Sequence, residues 1–417
     1  MDLAPLAQES AGDVRVRRDA RVAVAALFFT NGALFANLLP RYPEIKDDLG
    51  LTNAALGSAI AAFPLGALLA GLFAAALINR FRSSRVAVVG IVVMATLLAL
   101  VSVAHTWAAL AVILFVAGAL DAVIDVAQNA HGLRVQRRYR RSIVNSFHGV
   151  WSIGAVFGGL LGAAAAGLGV PLAVSLFTTS AIFSAVALVS YRFLLPGPEH
   201  AERDAARLTA ETDGSDERSR AAPADWRAIR TASIRVLLIL GVLAACGAVV
   251  EDGGASWGAL YLGGLGAGAA LAGMAFVALQ TTMTVGRLLG DRVVDRFGER
   301  AVVRCGGVVA AVGMAAALAW PTIGTTLVGF ALAGLGVATL VPAAMHASDE
   351  LPGLAVGVGL TVVSWMLRVG FLLSPPLVGL VADHVSLRAG LLGVVLAALL
   401  VVVLGRVLPG RRGPVPR

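Results

Sequence analysis

The sequence has 417 residues, of which 58% are hydrophobic and 14% are charged, and its mean hydropathy is +0.84. A soluble protein of this length carries about 25% charged residues, so the composition excludes a soluble enzyme. The formal net charge is +8. The basic residues are spread over short gaps between apolar runs, however, and their retention on one side of a membrane accounts for them. We therefore expect no nucleic-acid partner.

Twelve long apolar runs follow one another along the chain. About 20 apolar residues cross the hydrocarbon core of a bilayer, and a chain in lipid must pair its own backbone groups, which favours helices. We therefore predict an all-α membrane protein with twelve transmembrane helices. The predicted spans are residues 22–40, 53–78, 85–103, 107–130, 143–168, 171–195, 233–261, 267–290, 301–319, 322–346, 354–380 and 386–408.

Arginines occur in every second gap between these runs, and this alternation predicts the orientation. Positively charged loops stay in the cytoplasm, so both termini are predicted to be cytoplasmic in a multi-pass protein of the plasma (inner) membrane. The other gaps hold only Arg41, Lys46 and Arg388. The arginine-rich set comprises Arg15, Arg17, Arg18, Arg21, Arg80, Arg82, Arg85, Arg134, Arg137, Arg138, Arg140, Arg141, Arg292, Arg296, Arg300, Arg304, Arg406, Arg411, Arg412 and Arg417.

A polar stretch separates the runs into two sets of six. Such a stretch, without apolar periodicity, is typical of a partly disordered linker. The predicted organisation is a cytoplasmic tail over 1–21, a six-helix bundle over 22–195, a cytoplasmic linker over 196–232, a second six-helix bundle over 233–408 and a cytoplasmic tail over 409–417.

The two predicted bundles align at an offset of 216 residues, at which Asn79 matches Asp295 and Gly154 matches Gly370. Parallel repeats of six spans place a substrate site near the membrane midplane between the repeats. The alignment therefore predicts a pseudo-symmetric 6+6 fold with a central cavity.

Lys46 is the only lysine in the chain, and it lies in the segment PEIKD on the predicted outer side. A nucleotide-binding loop of the Walker A type requires a lysine after a glycine-rich turn. The chain therefore cannot hydrolyse ATP by itself, and secondary transport is the leading interpretation. We also find no metal-ligand motif, and we expect neither a cofactor nor an enzymatic activity.

Residues 290–300, GDRVVDRFGER, resemble the loop signature of the major facilitator superfamily, which follows spans 2 and 8. The first copy, residues 79–85, has Asn and Arg in place of the signature Asp and Gly. The segments DVAQN, SFHGVWS and EDGGASW, which begin at Asp125, Ser146 and Glu251, are similar to those of fucose-permease-like and uncharacterised bacterial inner-membrane members. The resemblance covers the chain except its tails and linker.

The resemblance implies that the loop signature is a conformational latch rather than a substrate site. The latch residues it implies are Asn79, Arg80, Arg287, Asp291, Asp295 and Arg296. Asp295 could face the start of span 11, predicted at Leu351-Pro352-Gly353, where a helix presents unpaired N–H groups.

Acidic residues inside the predicted spans are the first candidates for a solute or proton pathway, because a charge at mid-bilayer costs about 3 kcal/mol or more. Asp121 and Asp125 lie four residues apart on one face of span 4. Asp125 could instead pair with the arginine loop that follows. Glu251 and Asp252 precede Gly253-Gly254, which would loosen the helix of span 7, and one of the two acids could carry a proton. Alternatively, both could reach the outer interface and be solvated.

Arg368 is the clearest deep cation, and it could pair with Asp121 or bind an anionic group of the solute. At the offset of 216, Thr361, Ser364 and Arg368 match Asn145, His148 and Ser152, and each triple forms one polar helical stripe. Fucose-permease-type symporters carry acids in spans 1 and 4. Here span 1 offers Asn31 and Asn37 instead, which places proton coupling through that pair in question. The predicted solute or proton pathway comprises Asn31, Asp121, Asp125, Asn145, His148, Glu251, Asp252 and Arg368.

These observations predict a monomeric carrier in the lipid bilayer that moves a small polar solute, sugar-like or a related metabolite, together with protons. The alternative is an exporter of drugs or amphipathic metabolites by proton antiport. Drug/proton antiporters of this superfamily usually carry the segment GPxxGG in span 5, whereas residues 154–159 read GAVFGG. Only 6% of the residues are aromatic, which also favours a polar solute.

Overall fold

The computed structural model describes residues 11–139, 143–197, 226–352, 354 and 357–410. Within these residues every regular element is a helix, and twelve helices are long and apolar enough to cross a membrane. The predicted fold class is thereby confirmed. Numbered 1 to 12, the spans are Val14–Asp48, Asn53–Phe81, Ser83–Val103, Trp107–Tyr139, Val144–Gly167, Leu172–Tyr191, Ser233–Ser256, Ala269–Phe297, Glu299–Ala319, Ile323–Asp349, Val358–His384 and Leu387–Val407.

Several spans consist of consecutive shorter helices. Span 1 comprises Ala11–Ala36, Leu39–Arg41 and Tyr42–Asp48; span 2 comprises Asn53–Ala70, Gly71–Phe73 and Ala74–Phe81; span 3 comprises Ser83–Leu100 and Val101–Val103; span 10 comprises Ile323–Val337 and Leu340–Asp349; span 12 comprises Leu387–Leu404 and Gly405–Val407. Span 7 belongs to the helix Trp226–Ser256, and Gly258–Gly264 follows it. Pro40 and Pro43 lie in the first turns of the two short helices that end span 1, where their missing N–H groups are not needed.

Several predicted boundaries differ from the structure; spans 1, 4 and 8, for example, extend to Asp48, Tyr139 and Phe297 instead of residues 40, 130 and 290. The first helix begins at Ala11, inside the predicted tail, and the helix of span 7 begins at Trp226, inside the predicted linker. Both extensions are rich in Ala and Arg, which favour helices without being apolar. Span 11 begins at Val358 rather than at Leu351. Gly353, Arg140, Arg141, residues 198–225 and residues 411–417 lie outside the described residues.

The buried hydrophobic side chains form two clusters. One comes from residues 20–195 with Phe276 added from span 8, and the other comes from residues 237–408. Spans 1 and 5 approach closely within the first cluster, where a Cβ atom added to Gly158 would lie 2.2 Å from the carbonyl oxygen of Ala33. Small residues permit such helix contacts in membranes, and each half buries a core of its own.

The turns after spans 2 and 8 have matching conformations at the predicted offset. Arg82 has φ 72° and ψ 144°, and Gly298 has φ 83° and ψ 150°. The guanidinium groups of Arg80 and Arg296 lie 5.5 and 5.6 Å from the ring centres of Phe81 and Phe297. Positive φ is favourable for glycine and strained for arginine. The repeat therefore preserves the loop geometry even where the sequence signature has lost its glycine.

We call the end of the molecule with the arginine-rich loops the inner end and the opposite end the outer end. At the outer end, the carboxylate of Asp383 accepts hydrogen bonds from the backbone N–H groups of Asn53 (2.9 Å) and Ala54 (2.7 Å) and from the Asn53 amide (2.8 Å). These N–H groups lie in the first turn of span 2 and have no partner within that helix. Span 11 thus caps span 2 across the two halves.

At the repeat-equivalent position of the first half, span 5 contacts span 8 at the outer end without a charged residue. Gly167, which corresponds to Asp383 at the offset of 216, ends span 5. A Cβ atom added there would lie 2.4 Å from that of Ala270, in the first turn of span 8. All hydrogen bonds that join described residues of the two halves are those of Asp383. The halves are therefore held together at the outer end.

Candidate functional site

A cavity of about 420 Å³ lies between the two halves. Its walls come from spans of both halves, and it brings together six of the predicted pathway residues. These are Asn31, Asp121, Asp125, Glu251, Asp252 and Arg368. The remaining wall is largely apolar and includes Phe35, Phe63, Phe276 and Phe371. The cavity thus combines several ionisable groups with a low-polarity lining.

Asp121 is held by a hydrogen-bonded chain through three spans. The Trp151 indole Nε1–H donates to Asn31 Oδ1 (2.8 Å), and Asn31 Nδ2 donates to Asp121 Oδ1 (3.0 Å). An indole can only donate, so the amide of Asn31 has one orientation that satisfies both neighbours. Spans 1 and 5 come close enough because Gly32 packs on the Trp151 carbonyl, 2.3 Å from the position of an added Cβ.

Asp125 is held by a second chain closer to the inner end. Asn129 Nδ2 donates to the Asp125 carboxylate (3.0 Å) and to its backbone oxygen (2.9 Å), which leaves Asn129 Oδ1 to accept from His148 Nε2 at 3.1 Å. His148 therefore carries its proton on Nε2 in this arrangement. Asp125 makes no ion pair with a described arginine of the following loop, so that alternative is not observed.

Asp252 is buried in the second half, with 4% of its surface exposed. It accepts hydrogen bonds from Ser256 Oγ (2.5 Å) and Ser374 Oγ (2.6 Å). Ser374 comes from span 11, so this carboxylate joins two spans of the same half. A solvated Asp252 at the outer interface, one of the alternatives considered, is therefore wrong.

Glu251 faces a cation from span 8. Its carboxylate Oε2 lies 3.9 Å from Arg287 Nη2, and their side chains are 22% and 34% exposed. Arg287 was predicted as a latch residue only, because it lies near the inner end of span 8. The length of its side chain lets it reach an acid on the cavity wall as well.

Arg368 interacts electrostatically with both Asp121 and Asp125. No carboxylate among the described residues lies within 4.0 Å of its guanidinium group. Since these acids lie on span 4 and Arg368 on span 11, the attraction acts between the two halves. Its donors remain available to a solute.

The two predicted polar stripes reach the cavity only in part. Ser364 and Arg368 line it, whereas Thr361 donates its hydroxyl to the Gly357 carbonyl at 2.9 Å. Asn145 is exposed and does not line the cavity. His148 reaches Asp125 only through Asn129. Helical spacing indicates which residues share one face of a helix, but it does not indicate how far along that face the cavity extends.

The predicted latch residues Asn79, Arg80, Asp291, Asp295 and Arg296 are all exposed at the inner end. Within the described part of the chain, Asp295 has neither a hydrogen bond nor an ion pair. The segment that it was expected to face does not start span 11, which begins later in the chain. Asp295 therefore makes no helix-capping contact with a described residue in this conformation.

Gln280 is a cavity residue that the sequence analysis missed. It is 1% exposed, and its Nε2 has no hydrogen-bond partner. A single glutamine inside an apolar run of span 8 was the available signal. Trp151 was noted only as part of a family-like segment, and Ser256 and Ser374 were not considered, because neutral hydroxyl groups are common in membrane helices. No cluster of three potential metal ligands occurs among the described residues.

The model of the Major Facilitator Superfamily matches residues 24–293 and 252–417. The chain is 30% identical over 389 residues to Membrane protein MosC of Rhizobium meliloti, an alignment that covers 91% of this chain and 88% of that one. It is 26% identical to an uncharacterised MFS-type transporter of Yersinia pestis, over 88% of this chain and 90% of the relative.

Solved structures show the same fold at low sequence identity. The nucleoside transporter NupG has a TM-score of 0.70 at 12% identity, covering 94% of this chain and 97% of that chain. A D-xylose-proton symporter has a TM-score of 0.72 at 14% identity, covering 95% and 98%. A bacterial homologue of the lysosomal transporter Spinster, in an inward-facing conformation, has a TM-score of 0.71 at 15% identity, covering 94% and 98%.

Proposed function

The chain belongs to the major facilitator superfamily and is a multi-pass membrane transporter, and from this premise we propose that it carries a small polar solute, sugar-like or a related metabolite, by proton-coupled alternating access. The observation that carries the proposal is the cavity between the halves, where carboxylates from spans 4 and 7 and the guanidinium of Arg368 face one space.

The cavity suits a solute with several hydroxyl groups. Its volume of about 420 Å³ falls within the range of small-molecule sites, roughly 300–1,000 Å³. Gln280 Nε2 has no protein partner, and Arg368 makes no close ion pair with a described carboxylate, so both could donate to solute oxygens. Trp151 offers an aromatic face beside them. This supports recognition by hydrogen bonds over an apolar wall.

The proposal of proton coupling is supported by the position of Arg368, which is the countercharge of Asp121. Asp121 and Arg368 belong to different halves, so their attraction favours the arrangement in which the halves approach each other. A proton on Asp121 removes that attraction, and the energy of separating the halves then depends on protonation. The Asp383 cap at the outer end supports an inward-facing state for this structure.

We further propose that the molecule resides in the plasma (inner) membrane with both termini cytoplasmic, as the arginine distribution indicates. The two six-helix bundles, the linker over 196–232 and the tails over 1–21 and 409–417 keep the assignments predicted from the sequence, with the helical extensions described above. A monomer is sufficient, because one chain supplies both walls of the cavity.

An exporter of drugs or amphipathic compounds by proton antiport is the second candidate. It is favoured by the apolar part of the wall, where Phe35, Phe63, Phe276 and Phe371 could hold an aromatic or aliphatic group. The same carboxylates would then release protons as the compound binds. Uptake and export differ in direction, so transport assays can separate them.

Reconstituted vesicles with an imposed pH gradient test the proposal. D-xylose, D-glucose, uridine and ethidium are offered as labelled solutes. We expect accumulation of a hydroxyl-rich solute that follows the proton gradient and is lost in Asp121→Asn. The matched control is Asp48→Asn, since Asp48 is exposed and does not line the cavity. Proton-driven movement of ethidium alone supports the antiporter, and transport that ignores the gradient contradicts proton coupling.

A further inference from the structure

A second polar pocket, of about 270 Å³, lies at the inner end of the second half. We call it the inner pocket and define it by its charged or titratable residues Arg287, Asp291, Glu299 and His346. They come from spans 8, 9 and 10. The central cavity does not include any of these four side chains.

Arg287 connects the inner pocket to the central cavity. It lines the pocket, and its Nη2 lies 3.9 Å from Oε2 of Glu251, which lines the cavity. Span 10 also borders both spaces, because Met345 lines the cavity and the adjacent His346 lines the pocket. The Arg287 guanidinium and the Met345–His346 segment thus lie between the inner pocket and the central cavity.

The inner pocket leads from that guanidinium to the protein surface. Glu299 is largely buried, with a side chain 15% exposed, and its Oε1 lies 2.9 Å from His346 Nδ1. His346 is 60% exposed, and its Nε2 lies 3.8 Å from Glu350. Glu299 Oε2 is buried and has no hydrogen-bond partner. A buried carboxylate joined to an exposed imidazole is an arrangement that can pass a proton to solvent.

We propose that the inner pocket is the path by which the coupling proton passes between Glu251 and the inner end, with Arg287 as its gate. The proposal rests on the proposed proton-coupled function. Glu251 on span 7 is faced by Arg287 from span 8, by Asp252 on its own helix, and across the cavity by Arg368, Asp121 and Asp125. Among them, Arg287 alone also lines the inner pocket.

The proton step conserves total charge, because each group that loses the proton becomes more negative by one unit as the next group gains it. A protonated Glu251 carboxyl gives its proton through water to the Glu299 carboxylate or the neutral His346 imidazole, which releases it to solvent. The Glu251 carboxylate that remains pairs with Arg287, as the structure has it. When Glu251 takes up a proton, the attraction is lost. Arg287 can then turn to Asp291, four residues further along the same helical face, and open the path.

A proton-leak assay without solute tests the gate. Vesicles contain a pH-sensitive dye, and a potassium diffusion potential drives protons through the purified protein. We expect Arg287→Ala to raise the proton flux about tenfold over the wild type, the change for a barrier lower by about 1.4 kcal/mol. Arg287→Lys keeps the positive charge and serves as the control with a low flux.

Further substitutions in the Arg287→Ala background assign the route. Addition of Glu251→Gln should return the flux to the wild-type level, and so should the pair Glu299→Gln and His346→Gln. A flux that persists in both combinations overturns the proposal, as does an Arg287→Ala protein with normal size-exclusion behaviour and no leak. Since the assay contains no solute, it can fail while pH-driven solute transport stands, and the solute panel can fail while the gate stands.

Discussion

The two halves hold their acids in different ways. In the first half, Asp121 and Asp125 accept hydrogen bonds from the amides of Asn31 and Asn129, and the cavity cation that acts on them, Arg368, comes from the second half. In the second half, Glu251 has a cation of its own half, Arg287. The charge balance of the first half therefore depends on how the halves are placed, whereas that of Glu251 does not.

Matched positions of the repeat show the same divergence. Gly158 and Ser374 correspond at the offset of 216. The first lets spans 1 and 5 touch, and the second donates to Asp252. At the outer end, Gly167 packs against span 8 while Asp383 caps span 2. At these positions the second copy makes polar contacts where the first copy packs closely.

Arg368→Ala removes the cation that the second half places opposite the acids of the first half, and it should have the largest effect. It leaves two carboxylates of the first half without a countercharge, so we expect proton-driven transport of the solute identified in the panel to fall about 100-fold, or roughly 2.8 kcal/mol. Arg368→Lys should retain part of the activity. Initial rates in vesicles measure the effect, and an unchanged rate in Arg368→Ala would show that the halves are not coupled through this charge.

Gly158→Ala tests the close packing in the first half. Its Cβ would lie 2.2 Å from the Ala33 carbonyl oxygen, so spans 1 and 5 must separate, at a cost of about 2 kcal/mol. We expect a lower midpoint of thermal unfolding in detergent. Gly393→Ala is the control, because nothing lies within 4 Å of a Cβ atom there. Equal midpoints for the two variants would mean that the contact is not needed for stability.

Asp383→Asn weakens the polar contact at the outer end, for which the first half has no equivalent. The loss should be about 1 kcal/mol, since the site is exposed to solvent, and the outward-open population should rise about fivefold. The outward-open population can be measured with Gln280→Cys in a protein whose native cysteines have been replaced. A larger outward-open population should give faster labelling of this cysteine by an impermeant maleimide added outside the cell. Asp48→Asn should leave the labelling rate unchanged; equal rates in all three proteins would refute the cap.

Arg82→Gly and Gly298→Arg exchange the residues at the positive-φ turns, and we expect small effects of opposite sign on stability there. Relief of strain should stabilise Arg82→Gly by about 1 kcal/mol, and Gly298→Arg should lose a similar amount. Unfolding midpoints in detergent provide the comparison. The two loops would not be conformationally equivalent if both substitutions shifted the midpoint in the same direction.

Much of the fold followed from the sequence because membrane helices are specified locally. A run of apolar residues must form a helix in lipid, so the number of spans could be read directly. Helix ends were less predictable. Polar residues such as arginine continue a helix beyond the apolar run, as the starts at Ala11 and Trp226 show, whereas span 11 begins only after Gly357, whose φ is 84°.

The candidate site could be predicted for its charged residues and for Asn31. Asp121, Asp125 and Arg368 were recognisable because an intramembrane charge is costly. Gln280, Ser256 and Ser374 were missed, since a neutral side chain in a membrane helix carries little signal until its neighbours are known. Asn145 was included through helical spacing, which reports the face of a helix but not the depth of the cavity.

The sequence by itself determined the twelve spans, the twofold repeat and the charges that line the cavity, because hydropathy and residue identity along the chain reveal them without knowledge of which helices pack together. Only the tertiary structure decided the partners. That Arg287 reaches Glu251, that Asp383 caps span 2 and that Arg368 faces the acids of the other half all depend on distances between separate helices. Hydropathy and spacing describe one helix at a time, and the site lies between helices.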